Sequence, residues 1–262
     1  MPKRWTPAEE TAKRAELEDL YVRQNLTIGK IAARISLTEG SVYDRLVRLG
    51  IPITPERKLH YLNRRNDIRI PLSYSEDLAE FVGILLGDGH VAPTQIIITV
   101  NQDEQPYAMH VSKLIEQLFH VTPHRAKKTH HHVDDLYVGS VDLVRYFLAM
   151  GLVPDKVRAQ VDVPTWIITE PLYAIRFLRG FFDTDGSIYK LRYGVQLSYK
   201  NASQPLLATT KHLLNQFGYH PSSISAKAVY LTRRGELSQF FSKIAPKNQK
   251  HIDRARRFGI IR

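Results

Sequence analysis

Two aspartates, Asp88 and Asp185, sit in the settings of this chain that most suggest chemistry. Each ends an apolar stretch and is followed by glycine: Phe81-Val82-Gly83-Ile84-Leu85-Leu86-Gly87-Asp88-Gly89 in one case, Phe177-Leu178-Arg179-Gly180-Phe181-Phe182-Asp183-Thr184-Asp185-Gly186 in the other. Aligned on the aspartates, Gly83 matches Gly180, Gly89 matches Gly186, and Gly87 matches the small Thr184. A helix apolar on nearly every side must be buried, and small residues one turn apart let two helix backbones approach closely. The pairing predicts two helices packed on each other, with Asp88 and Asp185 side by side at their C-terminal ends. There the negative end of each helix dipole adds to the repulsion between the carboxylates, and one of them would be driven towards protonation. A divalent cation removes the conflict. Hard oxygen donors suit Mg²⁺, which keeps part of its water shell and takes phosphate oxygens as further ligands. The expected chemistry is metal-assisted attack on a phosphoester.

These two stretches resemble the paired motifs of LAGLIDADG homing endonucleases, in the single-chain, two-repeat form, over roughly residues 75 to 262. The resemblance implies that Asp88 and Asp185 bind the catalytic Mg²⁺, with Mn²⁺ or Ca²⁺ able to substitute for binding. Gly87 and Thr184, just before them, count as further metal-site residues. It also implies a monomer whose two sheets form a saddle over the DNA major groove, and two cuts across the minor groove that leave short 3′ overhangs. Family members commonly carry a lysine near the scissile phosphates, and Lys200 stands about there. By the Gln-Pro spacing its counterpart in the first repeat is Asn101, followed by Gln102, which would make the half-sites unequal.

The elements that must position these residues repeat. After each motif comes a strand of alternating pattern, Gln95 to Asn101 and Tyr193 to Lys200. Ile96, Ile98 and Val100 face one way in the first, and Val195, Leu197 and Tyr199 in the second. Each strand leads to Gln-Pro opening a helix, Gln105-Pro106 and Gln204-Pro205, where proline suits the first turn. Pro123 and Pro221 then each enter a strand pair, with Leu136-Tyr137-Val138 matching Val229-Tyr230-Leu231, and a helix closes each copy. This internal duplication predicts an α+β fold of two pseudo-twofold αββαββα repeats, residues 75–169 and 170–262. The polar strand faces would meet DNA: Gln95, Thr99, Asn101, Gln196, Ser198 and Lys200, with Arg125 and Lys127 on the strand after Pro123. Basic groups there supply phosphate affinity, and amides and hydroxyls read base edges. The plainer alternative for each is a solvated sheet face.

Residues 1–52 read as a separate three-helix unit of the helix-turn-helix kind. Leu17, Leu20 and Tyr21 share a face of the first helix, Thr27 caps the second and Thr38 the third, and Gly50 ends it. The third helix would present Ser41, Tyr43, Asp44, Arg45 and Arg48 to a major groove. Residues 53–74 contain prolines and the basic run Asn63-Arg64-Arg65-Asn66, which reads as a linker along a DNA backbone or as a solvated tether. The net charge of +11 fits a polyanion partner. The absence of cysteine excludes disulfides and thiolate zinc sites. No apolar run spans a membrane, and no targeting segment is evident, so a cytoplasmic, nucleoid-associated protein is expected.

Two metal readings fail on the residues. Asp183 to Ile188 looks like part of an EF-hand loop, but its first and twelfth positions would be Phe181 and Arg192, neither a calcium ligand. His130-His131-His132 do not share a face and lack a second ligand cluster. The termini, Met1-Pro2 and Ile261-Arg262, differ from those of a complete intein. The reading that follows is a site-specific double-strand DNA endonuclease of the intron-homing kind. A DNA-binding transcription regulator that has lost cleavage, or an intron RNA maturase with RNA as partner, are the alternatives.

Overall fold

The structure, a computed structural model, describes residues 6–53, 67–128 and 131–262. Asn63 to Asn66 and His130 lie outside the described residues. The chain divides into two compact units, Met1–Arg64 and Arg65–Arg262.

The first unit is helical. Helix α1, Pro7–Glu18, starts at a reciprocal cap in which the Thr6 hydroxyl accepts from Glu9 N–H and the Glu9 carboxylate from Thr6 N–H. A π turn, Asp19–Arg23, widens its end. Helix α2, Ile28–Arg34, and helix α3, Glu39–Arg48, are capped by the Thr27 and Thr38 hydroxyls. Gly50 takes φ +66°, the left-handed conformation that stops a helix. Leu17, Leu20, Tyr21, Ile31, Val42 and Leu46 form its core.

The second unit is built around two helices, α4 (Glu76–Leu86) and, further on, α8 (Pro171–Asp185). Between them run β1 (Gly89–Val91), β2 (Gln95–Asn101), α5 (Gln105–Phe119), β3 (His124–Lys127), β4 (Val133–Gly139), α6 (Val141–Ala149) and the short α7 (Thr165–Ile168). After α8 come β5 (Gly186–Leu191), β6 (Gly194–Lys200), α9 (Gln204–Gln216), β7 (Ala228–Leu231), α10 (Arg234–Lys243) and α11 (Gln249–Arg257). The strands make two antiparallel sheets, ordered β1-β2-β4-β3 and β5-β6-β7. Each motif helix runs straight into the first strand of its own sheet, so each carboxylate stands at a helix–strand joint.

Backbone contact holds α4 on α8. A Cβ added at Gly83 would lie 2.7 Å from Phe181 N and nearer still to Phe177 O; one at Gly180 would run into Glu80 O. Only glycine permits that approach. At the N-terminal ends of the two helices, the buried Glu80 carboxylate is held by Arg176 Nη1 at 3.0 Å, Arg179 Nη1 at 3.3 Å and His110 Nε2 at 2.7 Å.

The first repeat has the full αββαββα order, whereas the second differs. After Pro221 there is no strand pair: Ser225 and Ala228 form a single bridge, and Ala226 and Lys227 take φ +50° and +58°. Two left-handed residues in succession turn the chain before a strand can develop. The extra helix α11 follows α10. Residues 67–74, expected to be linker, pack onto the second unit instead. Ile68 and Ile70 lie on its core, Arg69 N–H donates to Phe119 O at 3.0 Å, and Tyr74 stacks on Trp166 at 4.2 Å between centroids.

Candidate metal and nucleic-acid site

Asp88 and Asp185 are brought together as the motif pairing requires. Helix α4 closes with Gly87 N–H donating to Gly83 O. Gly87 packs so closely on α8 that an added Cβ would lie 2.7 Å from Thr184 Cβ and 3.6 Å from Asp185 Cγ. Glycine therefore sets the separation of the two half-sites. Asp88 reaches solvent and is open to an incoming cation, although packed protein crowds its other sides. That crowding raises its pKa, Lys250 and Lys156 pull it back, and Glu104 raises it further. Burial pushes Asp185 up to about 6; the Asn201 hydrogen bond, Nδ2 to Oδ2 at 2.6 Å, opposes this, Asp88 reinforces it and Lys156 opposes it.

A third polar group enters from a segment with no motif or periodicity to mark it. Lys156 Nζ donates to Leu86 O at 2.8 Å, Gly89 O at 2.9 Å and Leu85 O at 3.4 Å, and also contacts Gly87 O. Its ammonium thus caps the α4 C-terminus beside both carboxylates, and burial lowers its pKa against their pull. Gly87 and Thr184 each have a partner of their own here. The Gly87 carbonyl faces this ammonium, and the Thr184 hydroxyl donates to Gly180 O and Phe181 O, each at 3.1 Å. These contacts use the Thr184 hydroxyl hydrogen and one side of the Gly87 carbonyl, and each oxygen keeps a lone pair that a metal could meet. Among the described residues no set of three or more His, Cys, Asp or Glu could hold a metal. The two carboxylates remain hard oxygen donors at one point, which fits an ion that completes its shell with water and phosphate oxygens.

Strand register corrects two further expectations. Arg125 pairs with Leu136 and Lys127 with Asp134, both on the helix-packed face of β4. Directly opposed residues share a face, so Arg125 and Lys127 point away from the polar face. Arg125 is bound by the buried Asp134 (Nη2 to Oδ2, 2.6 Å) and by Gln105 (Nη1 to Oε1, 2.9 Å). His124, stacked on Tyr137 at 5.3 Å, takes the place on the polar face. The register also pairs Gly89 with Ile98 and Gly186 with Tyr199. One residue on, Asp88 therefore opposes Thr99 and Asp185 opposes Lys200. The counterpart of Lys200 is Thr99 rather than Asn101.

Of the other strand candidates, all but Ser198 keep some exposure. Gln95 is half-buried and Asn101 exposed, with its Oδ1 accepting from Asp103 N–H at 2.9 Å. Thr99 Oγ1 donates to Asp135 at 2.8 Å, Gln196 Oε1 accepts from Tyr189 at 2.8 Å, and Lys200 is exposed. Ser198 is 6% exposed, closed in on its face between Ser187 and Tyr230. In the first unit, Asp44 and Arg48 are exposed on α3, Ser41 and Arg45 are half-buried, and Tyr43 packs against the core. Arg48 Nε lies 3.9 Å from Glu10. His131 and His132 occupy the exposed β3–β4 turn.

The second unit is thus a mixed α/β structure with two antiparallel sheets and an acidic helix seam. Residues 173–245, which contain the second of the two motifs, match the family model described as a LAGLIDADG-like domain. The chain is 31% identical over 146 residues to the replication factor C small subunit of Methanocaldococcus jannaschii, a match covering 55% of this chain and 8% of that protein. It is 32% identical over 140 residues to an A-type ATP synthase subunit of Pyrococcus abyssi, covering 53% and 13%. The chain therefore spans only a small part of these curated relatives. Among solved structures, the homing endonuclease I-DmoI in complex with DNA and Mn is similar at a TM-score of 0.47 and 17% identity, covering 64% of this chain and 96% of that one. Full-length DUF199/WhiA from Thermatoga maritima is similar at 0.47 and 14%, covering 71% and 61%.

Proposed function

We propose that the protein is a site-specific double-strand DNA endonuclease. The observation that carries this reading is the pair of carboxylates, Asp88 and Asp185, at the C-terminal ends of two helices in backbone contact. Asp88 and Asp185 would hold Mg²⁺, or Mn²⁺ in its place. The bound ion would supply Lewis-acid polarisation of the phosphate and a more acidic water. Each cut consumes one water: its oxygen bonds to phosphorus, the P–O3′ bond breaks, and the products are a 5′-phosphate and a 3′-hydroxyl. Lys200, opposite Asp185, would stabilise the developing charge in one half-site, while Thr99 has no charge to offer in the other. Asn201 holds the Asp185 carboxylate through its Nδ2 hydrogen bond to Oδ2.

The polar sheet faces would bind the duplex through Gln95, Thr99, Asn101, Gln196 and Lys200. Residues Ser41, Tyr43, Arg45 and Arg48 of α3 would extend the footprint, and the net charge of +11 supports a phosphate-dominated affinity. One observation favours the regulator alternative. The Lys156 ammonium contacts the Gly87 carbonyl, so the seam carries a cation of its own.

Cleavage of a randomised duplex library in Mg²⁺, run beside Asp88→Asn and Asp185→Asn, decides between them. The endonuclease yields one long site cut on both strands, and neither variant makes the double-strand break. Specific binding without cleavage in Mg²⁺ or Mn²⁺ overturns the enzyme reading in favour of the regulator.

A further inference from the structure

We propose that Lys156 is a built-in counterion of the Asp88–Asp185 pair. In this role it is a positioning residue that holds the seam together before any divalent cation arrives. This rests on the reading of those carboxylates as the metal site.

The ammonium has four backbone carbonyls around it, from Leu85, Leu86, Gly87 and Gly89. A cation is favourable at a helix C-terminus. The second repeat shows what the backbone alone requires. With Pro154 set on Pro246, Lys156 falls on Asn248. With Gly83 set on Gly180, Leu86 falls on Asp183. Asn248 Nδ2 donates to Asp183 O at 3.1 Å, just as Lys156 Nζ donates to Leu86 O at 2.8 Å. The same structural task, tying the segment after each repeat to the last turn of its motif helix, is thus done once by a neutral amide and once by a charge.

The single bond common to both repeats therefore does not by itself require a charge at position 156. Burying an ammonium is costly unless negative charge compensates it. The helix-end carbonyls supply part of that compensation, and the two aspartates add to it: Lys156 binds the carbonyls on either side of Asp88, and both carboxylates act on it through space. The seam otherwise concentrates two carboxylates at two negative helix ends. One internal positive charge relieves that repulsion while leaving the carboxylate oxygens themselves without a direct lysine contact. They stay available to an incoming ion.

The test is a double-mutant cycle on the full chain, read as thermal unfolding in EDTA. The four proteins are the parent, Lys156→Met, Asp88→Asn/Asp185→Asn, and the triple variant. A counterion predicts that Lys156→Met lowers Tm by at least about 5 °C more in the parent than in the Asn/Asn background, where there is no charge to balance. Should Lys156→Met alone fail to fold, folding of the triple variant supports the proposal. Equal losses in both backgrounds, no loss in either, or failure of the triple variant to fold where Asn/Asn folds, each overturn it. Saturating Ca²⁺ gives the separate reading. It restores most of the Lys156→Met loss if the carboxylates hold a metal. An intact cycle with no Ca²⁺ effect would sink the metal site and leave the counterion standing.

Discussion

Substituting Gly83 with alanine tests the packing that makes the site. The added Cβ would stand 2.7 Å from Phe181 N, 3.2 Å from Gly180 C and closer to Phe177 O. These are backbone atoms of a buried helix, so no side chain can swing aside. Helices α4 and α8 must separate by something near an ångström. Overpacking of this kind costs about 1–3 kcal/mol, and rigid backbone on the far side places it at the upper end. Alanine returns roughly 0.5–1 kcal/mol through its better helix propensity. The net loss is about 2 kcal/mol, which for a unit of this size lowers Tm by roughly 4–8 °C. Differential scanning calorimetry measures it. Gly194→Ala, at a hairpin position with open space around it, is the control and should leave Tm unchanged. A Gly83→Ala protein that melts within about 1 °C of the parent would refute the backbone-contact argument.

Three other outcomes are expected. Asp185 has its pKa pushed up to about 6 from 3.8, so it holds its proton in the folded chain below that pH. Divalent-cation binding measured by calorimetry should fall as pH drops through 6; in metal-free protein this group's contribution to stability should instead decline as pH rises from about 4 to 6, and a flat binding profile would contradict both. Arg125→Ala strips the ion-pair partner from Asp134 and should lower the midpoint of denaturant unfolding. It should leave the salt dependence of DNA binding unchanged, whereas Lys200→Ala should lower the magnitude of that slope by roughly 1. Asp183→Ala removes the acceptor for Lys247 N–H at 2.9 Å and Asn248 N–H at 2.9 Å, and should cost about 1–3 kcal/mol by urea titration.

The seam was legible in the sequence because two signals agreed: an apolar helix period and a repeated small residue one turn before a glycine-bounded acid. The caps at Thr27 and Thr38 were legible because their chemistry is local. What escaped was decided by tertiary placement. Lys156 lies in an aperiodic stretch, and no pattern around it marks a group that reaches the end of a helix seventy residues away. The facing of Arg125 and Lys127 depends on the parity of a four-residue edge strand, which only its register with β4 reveals. The mate of Lys200 was misplaced because the two repeats differ in hairpin and strand length, so equal spacing to Gln-Pro does not mean equal register. The prolines and basic run of residues 53–74 suggested a tether, yet Ile68, Ile70 and Tyr74 carry enough apolar surface to dock its last part.

The central claim is that Asp88 and Asp185 jointly hold a divalent cation at the helix seam. Anomalous diffraction from crystals of the protein soaked in Mn²⁺ tests it most directly. The account predicts a peak within coordination distance of a carboxylate oxygen from each aspartate, absent in Asp88→Asn/Asp185→Asn. Clear density for both side chains with no peak between them, and Lys156 still seated on the Gly87 carbonyl, would contradict it.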